Sequence, residues 1–286
     1  QFMQEAKRDK RIIGDFVWAA QDYLGEVGIG AWEYKDYAPR FDGGCGWVSA
    51  GSGRIDLTGK PLGEMTYTRV AFELEDLAIA VVPVDHTKDA HSPSAWKMTN
   101  AMESWSWDGC EGKAAKVEVY TRADHVKLYI NGECVGTKKP KNDCKVFFDT
   151  TYHNGEIKAV AFDANDNVIA EKTLATAGKE TVLRAEPELT RVNADTDLCY
   201  VRMRYTDENG ETKPLTRGRI KLEVEGGDLL AFGSACPYYP ESYQSAETDT
   251  YYGEALAIVR MGDGDAMTIA ASDGEYSAEL TVSAQA

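Results

Sequence analysis

Two carboxylic acids and a tryptophan stand close together near the start of the chain: Trp18, Asp22 and Glu26. Cleavage of a glycosidic bond uses a pair of carboxylates, which must lie on opposite sides of a sugar. Acids four residues apart in a polar loop are far more often solvated. The spacing of Asp22 and Glu26 therefore favours a loop over a catalytic pair, and we assign no catalytic residue.

Metal-binding and nucleophile patterns are weak in this sequence. The six cysteines form no C-x-x-C pair and no Cys/His grouping at zinc spacing, which favours reduced, mostly buried thiols. Residues 163–167 resemble a calcium loop, but Val168 stands where an EF-hand requires glycine, and residues 262–265 lack the remaining ligands. The histidines have no partner serine or cysteine pattern: His86, His91, His125 and His153. We predict no metal site and no cofactor.

Three tryptophans near the middle of the chain allow two interpretations. Trp96, Trp105 and Trp107, with Asp108, would form a sugar-binding platform if they were exposed, because aromatic rings pack on pyranose C–H faces. They lie between two stretches whose sequence patterns predict different kinds of secondary structure, which favours packing of these side chains between domains. The tyrosine-rich stretch 238–252 raises the same question, and loop packing is again favoured.

The sequence around Trp18 and Asp22 predicts one βα unit that would position these two residues. Phe2, Met3 and Ala6 suit one face of a helix, and residues 12–18 form an apolar run without alternation, as in a strand covered on both faces. A glycine-rich loop follows, and then a helix predicted from Lys60 to about Leu77. Helix, buried strand, long loop and helix are typical of a (β/α)₈ barrel.

From about Trp105 the pattern changes to short strands of period two. The runs 116–120 and 126–130 are typical strands, and Asn131-Gly132 predicts a hairpin turn after the second. Further runs at 146–148 and 157–162 continue the series, and a second set begins near Leu198. Short antiparallel strands of this kind predict β-sandwiches.

The predicted fold is thus multidomain: a partial (β/α)₈ barrel segment, with its last strand and helices, followed by two immunoglobulin-like β-sandwich domains. The predicted boundaries are 1–85, 86–175 and 176–286, with a small polar linker at 175–181. One barrel strand has unpaired edges, so the first segment is expected to need the remainder of the barrel.

Three stretches of the sequence resemble family 2 glycoside hydrolases of the β-galactosidase type. Residues 14–26, GDFVWAAQDYLGE, are similar to the family's final barrel strand and following loop. Residues 117–136 are similar to the immunoglobulin-like domain after the barrel, and residues 226–230 and 252–260 are similar to the terminal domain. The chain is therefore interpreted as the C-terminal portion of such a protein.

The resemblance implies a retaining hydrolase of terminal β-galactosyl or related β-glycosidic bonds, whose two glutamates precede the material present here. It places Trp18 on the wall of the sugar site and Asp22 beside it, so these two are the predicted substrate-binding residues. Gln21 departs from the pattern, since many members have tryptophan there. The chain alone is expected to be inactive.

The expected partners are a β-galactoside or related glycan and the rest of the barrel. The formal charge of −16 repels phosphate, so nucleic acid is not expected, and no apolar stretch is long enough to span a membrane. Cysteine usage favours the cytoplasm. The sequence leaves a homo-oligomer open. The alternative function is a noncatalytic carbohydrate-binding or scaffolding protein, and an immunoglobulin-like adhesion protein ranks lowest.

Overall fold

The computed structural model describes residues 5–6, 8–14, 16–41, 44–94, 96–141, 143–194 and 197–285. The chain forms two compact units, Gln1–Thr176 and Ala177–Ala286. In the described part of the chain, no helix has the length and apolar character that a membrane crossing demands. All six cysteines are free, and three of them are buried: Cys110, Cys199 and Cys236.

The first unit is mainly β structure. Its strands are Tyr23–Leu24 (β1), Ser49–Ala50 (β2), Leu77–Val81 (β3), Ala114–Thr121 (β4), His125–Ile130 (β5), Glu133–Lys138 (β6), Lys145–Thr151 (β7), Glu156–Phe162 (β8) and Val168–Ala175 (β9). Its α-helix is Gly63–Ala71 (α1), and Val84–His86 form a 3-10 turn. The order β3-β4-β7 makes one sheet and β6-β5-β8-β9 the other, and β3 approaches β8 and β9 across the core. This part of the unit is a β-sandwich.

The alternation in the sequence accounts for the sandwich core. Val126, Leu128 and Ile130 of β5 are all buried on one face, as strand geometry requires of every second residue. Asn131 and Gly132 both have positive φ angles, 50° and 83°, as a type I′ turn demands. The β5–β6 hairpin predicted from this dipeptide is confirmed.

Two of the three central tryptophans belong to the core of this unit, whereas Trp96 is 41% exposed. Trp105 and Trp107 are fully buried, and Trp105 donates its indole N–H to the carbonyl oxygen of His153 at 3.0 Å. The Trp105 ring lies 4.8 Å from the Tyr152 ring, centroid to centroid. Neither ring can serve as an exposed sugar platform in this arrangement.

The strand predicted at residues 12–18 is not formed in the residues that the structure describes. Residues 12–14 and 16–18 carry no strand, and the side chains of Ile13 and Phe16 are 103% and 101% exposed. A barrel strand is held by hydrogen bonds to a neighbour on each side, and no such neighbour is present among the described residues. The side chains of Ile13 and Phe16 therefore stay at the surface.

The helices of the first segment agree only in part with the prediction. Glu5, Ala6 and Arg8 are helical, whereas Phe2 and Met3 lie outside the described residues. Helix α1 ends at Ala71, well before Leu77, because the chain turns at Glu73, whose φ is +67°. Leu77–Val81 instead forms β3, which pairs antiparallel with β4. The domain boundary at residue 85 stays a prediction.

The second unit is also a β-sandwich. Its strands are Val182–Pro187 (β10), Arg191–Val192 (β11), Cys199–Thr206 (β12), Arg219–Glu225 (β13), Gly227–Gly233 (β14), Glu247–Asp249 (β15), Glu254–Met261 (β16), Ala266–Ser272 (β17) and Ser277–Ala284 (β18). The sheets have the orders β10-β12-β16-β14 and β11-β18-β17-β13-β15. Their inner faces share one core that includes Val201, Met203, Ile220, Val259 and Ile269.

Candidate functional site

Trp18 presents most of its indole at the surface. Its side chain is 73% exposed, and the ring stands edge-on to that of Tyr23 with the centroids 6.0 Å apart. The indole N–H donates to the Tyr23 hydroxyl at 3.3 Å, and that hydroxyl donates in turn to Glu26. The bond to Glu26 raises the pKa of the Tyr23 hydroxyl. One face of Trp18 is therefore free to meet another apolar surface.

The backbone after Trp18 is held by the segment 52–55. Ala19 donates its N–H to the carbonyl of Ser52 at 3.1 Å, and Ile55 donates to the carbonyl of Ala20 at the same distance. A parallel bridge joins Gln21 to Ile55. The peptide bond between Trp18 and Ala19 is cis. Trp18 is thus an exposed side chain on an anchored backbone.

Asp22 is buried and faces inward. One carboxylate oxygen accepts the backbone N–H of Gly53 at 2.7 Å, and the other lies 3.4 Å from the ammonium of Lys97. Asp22 and Glu26 have separate partners, so the structure does not bring them together as a pair. Asp22 ties three segments of the chain to one another beside Trp18.

Gln21 and Lys97 were not assigned a contact from the sequence. The amide of Gln21 donates to the carbonyls of Asp56 and Leu57 at 3.3 and 3.4 Å, which fixes the same loop from its other side. Lys97 is far along the chain, and no short motif links it to Asp22. Only the glycine at position 53 could have signalled a close approach of two backbones.

Gly53 has no room for a side chain. A Cβ atom there would lie 2.0 Å from the backbone nitrogen of Asp22 and 2.4 Å from the carbonyl carbon of Gln21. We expect Gly53→Ala to lower the free energy of unfolding of the first unit by about 1–3 kcal/mol, as forced overpacking does. Chemical denaturation followed by tryptophan fluorescence measures this, because all six tryptophans lie before residue 108.

Gly14→Ala is the matched control, since a Cβ at Gly14 meets nothing within 4 Å. Equal stability of the Gly53→Ala and Gly14→Ala proteins would contradict the packing described around Asp22.

One group of metal-ligand atoms occurs in the described part of the chain. Ligand atoms of Asp36, Asp85 and His86 lie within 4.8 Å of one another. The Nε2 atom of His86 is 3.1 Å from oxygens of both aspartates, and its Nδ1 is 2.9 Å from Asp89. The imidazole and the carboxylates contact one another directly, and we assign no metal site to the group.

Two family models match the chain. Residues 183–281, nearly the whole second unit, match the glycoside hydrolase family 2 C-terminal domain 5, and residues 112–170 match a domain of unknown function. The second match covers most of β4–β9 in the first unit.

Known relatives cover almost the whole chain. A β-galactosidase of Bacteroides ovatus is 27% identical over 96% of this chain and 29% of its own length. A β-glucuronidase of Formosa agariphila is 29% identical over 42% of this chain and 13% of its own length. A solved glycosyl hydrolase family 2 member from Bacteroides cellulosilyticus superposes with a TM-score of 0.84 at 25% identity, covering 99% of this chain and 37% of that one.

The two sandwiches and these matches are typical of the β-sandwich portions of carbohydrate-active enzymes. The second unit matches a family 2 glycoside hydrolase C-terminal domain, and the matches together support the interpretation of the chain as a C-terminal portion of a protein of that family. The chain spans about a third or less of the length of these relatives.

Proposed function

We propose that this chain is part of a longer retaining hydrolase of terminal β-galactosyl or related β-glycosidic bonds. In that protein Trp18 forms one wall of the sugar site, Asp22 lies beside it and holds the loop, and the two sandwiches are accessory domains. The observation that carries the proposal is the exposed indole of Trp18 on an anchored backbone. A free indole face matches the apolar C–H face of a pyranose ring.

The exposed apolar run beside Trp18 supports a barrel segment that other polypeptide completes. Ile13, Phe16 and Val17 are exposed in sequence with Trp18, and a contiguous apolar surface of this kind marks an interaction site. The partner we propose for it is the rest of the (β/α)₈ barrel, which would pair with residues 12–18 on both sides. The segment up to the end of helix α1 would then hold the last strand and helices of that barrel.

The mechanism of a retaining hydrolase determines which roles we propose for this chain and which for the rest of the longer protein. A nucleophilic carboxylate and an acid/base carboxylate, about 5 Å apart, cleave the bond through a covalent intermediate. We propose that both come from barrel strands that precede this material. Asp22 does not act on the sugar bond; its bonds to Gly53 and Lys97 hold the loop that carries Trp18.

Replacement of Trp18 tests the proposed sugar wall. In the complete protein, Trp18→Ala is expected to lower kcat/KM for a 4-nitrophenyl β-galactoside by about 10- to 100-fold, as loss of an aromatic anchor does. Trp18→Phe should retain most of the activity because it keeps an apolar ring.

Trp96→Ala is the matched control, since Trp96 is 41% exposed and is not part of the proposed wall. The thermal stability of the Trp18→Ala protein should stay close to that of the parent, because the side chain is mostly exposed. Equal kcat/KM values for the Trp18→Ala and Trp96→Ala proteins would rule out the sugar wall.

A further inference from the structure

The first unit contains a cleft that neither Trp18 nor Asp22 lines. Its volume is about 520 Å³, which lies within the range of about 300–1,000 Å³ typical of ligand pockets. Aromatic and imidazole rings contribute to its lining: Trp32, Tyr34, His86, His91, Phe147 and Phe148.

The rings on one side of the cleft form two locked stacks. Trp32 stacks on His91 with centroids 3.9 Å apart, and Tyr34 stacks on His86 at 4.1 Å, each pair within 16° of parallel. The Trp32 N–H donates to the Tyr34 hydroxyl at 3.3 Å, which joins the stacks. The side chain of Asn100 donates to the same hydroxyl at 2.5 Å. The aromatic wall is therefore fixed before any ligand arrives.

Hydrogen-bond donors and acceptors complete the lining of the cleft. Glu118 of β4 is buried, and its carboxylate accepts the hydroxyl of Thr99 at 2.8 Å and that of Tyr120. Lys116 of β4 and Asp149 of β7 stand at the exposed edge. Hydroxyl-rich ligands need such a mixture of donors and acceptors around an apolar surface.

The charges disfavour an anionic ligand. Three carboxylates line the cleft, Asp89, Glu118 and Asp149, against two lysines, Lys88 and Lys116. A phosphate-bearing ligand would meet this acidic lining in a chain that is itself strongly negative.

We propose that this cleft is a binding site for a neutral pyranose sugar, whose C–H face packs on the partly exposed ring of Trp32. Tyr34, which is 3% exposed, accepts the Trp32 N–H and so holds that ring in place. The hydroxyl groups of the sugar would meet the carboxylate and ammonium groups of the lining. Phe147 of β7, which is 55% exposed, supplies an apolar contact. The inference does not depend on the proposed hydrolase activity, because binding at this cleft requires none of the residues around Trp18.

A titration of the 286-residue chain, labelled with ¹⁵N, tests the cleft directly. The probes are methyl β-D-galactopyranoside, glucuronic acid and glucosamine, which are neutral, anionic and cationic pyranoses. The indole N–H signal of Trp32 is identified by its loss in the Trp32→Phe protein. The neutral sugar is expected to shift this signal saturably and to bind more tightly than either charged sugar.

Two variants and a control separate binding from folding. Trp32→Ala should weaken binding of the neutral sugar by about tenfold or more, as loss of a central aromatic contact does, whereas Trp96→Ala should change it by less than about twofold. Phe147→Ala removes an exposed ring without touching the core and should weaken binding several-fold. It keeps the test informative if Trp32→Ala does not fold.

Three results would overturn the proposal. These are no saturable change in the Trp32 signal with the neutral sugar, binding of glucosamine or glucuronic acid in preference to it, or equal affinities in the Phe147→Ala and Trp96→Ala proteins. Loss of hydrolysis in the Trp18→Ala protein bears on the sugar wall alone, so the two proposals can fail separately.

Discussion

The purified 286-residue chain is expected to hydrolyse no 4-nitrophenyl β-galactoside above the uncatalysed rate, whereas the complete protein turns it over. Enzymes accelerate such reactions by about 10⁶-fold or more, so the difference is close to all or none. The reason is that retention needs two carboxylates facing one sugar, and Asp22 and Glu26 do not face each other. Asp22 lies against Gly53 and Lys97, and Glu26 accepts the hydroxyl of Tyr23.

Two variants of the isolated chain identify the result that would contradict this prediction. Turnover by the chain that disappears in Asp22→Asn or Glu26→Gln would show a self-contained catalytic site and would contradict the proposed division of labour. Weak turnover that is unchanged in both variants would point to a contaminating hydrolase in the preparation.

Truncation of Trp105 is expected to have the largest effect on stability. Trp105→Ala should lower the free energy of unfolding of the first unit by about 3–5 kcal/mol, the usual cost of removing a buried tryptophan. The substitution leaves a cavity against Tyr152 and removes the donor that pairs with the carbonyl of His153. The hydroxyl of Thr176 also donates to the Trp105 carbonyl at 2.8 Å, so the backbone there is a junction of the fold.

Urea denaturation followed by tryptophan fluorescence measures this loss in the first unit, because no tryptophan lies in the second. Trp96→Ala removes the same side chain from a partly exposed position and should cost less than about 1 kcal/mol, as most surface changes do. Similar losses in the two proteins would contradict the core position of Trp105.

The sandwich architecture could be predicted from the sequence because the patterns that indicate it involve residues close together in the chain. Alternation in β5 and the turn at Asn131 and Gly132 depend on residues a few positions apart, and the structure has both. Strand β3 was not predicted, since a continuous apolar run of five residues does not reveal its neighbour. Its partner β4 begins more than 30 residues later, at Ala114.

The structure around Trp18 was harder to predict from the sequence than the sandwiches were. A strand at residues 12–18 requires neighbouring strands, and none lies beside it among the described residues, so pattern alone could not show its conformation. The inward position of Asp22 depends on Gly53 and on Lys97, which is 75 positions away. Such contacts follow from the tertiary fold and have no local signature.

The cleft could not be predicted from the sequence for the same reason. Trp32 and Tyr34 are near in sequence, but the imidazoles that stack on them come from His91 and His86. Four scattered histidines gave no motif, and only the fold brings two of them to one wall. The ring stacks therefore became visible only in the structure.

The most direct test of the sugar wall is a crystal structure of the complete protein with an intact β-galactoside bound. The account predicts the indole of Trp18 within about 4.5 Å of the C–H face of the galactosyl ring, with residues 12–18 paired between neighbouring strands of a closed barrel. A structure in which Trp18 is covered by protein, with the galactoside bound elsewhere, would contradict it.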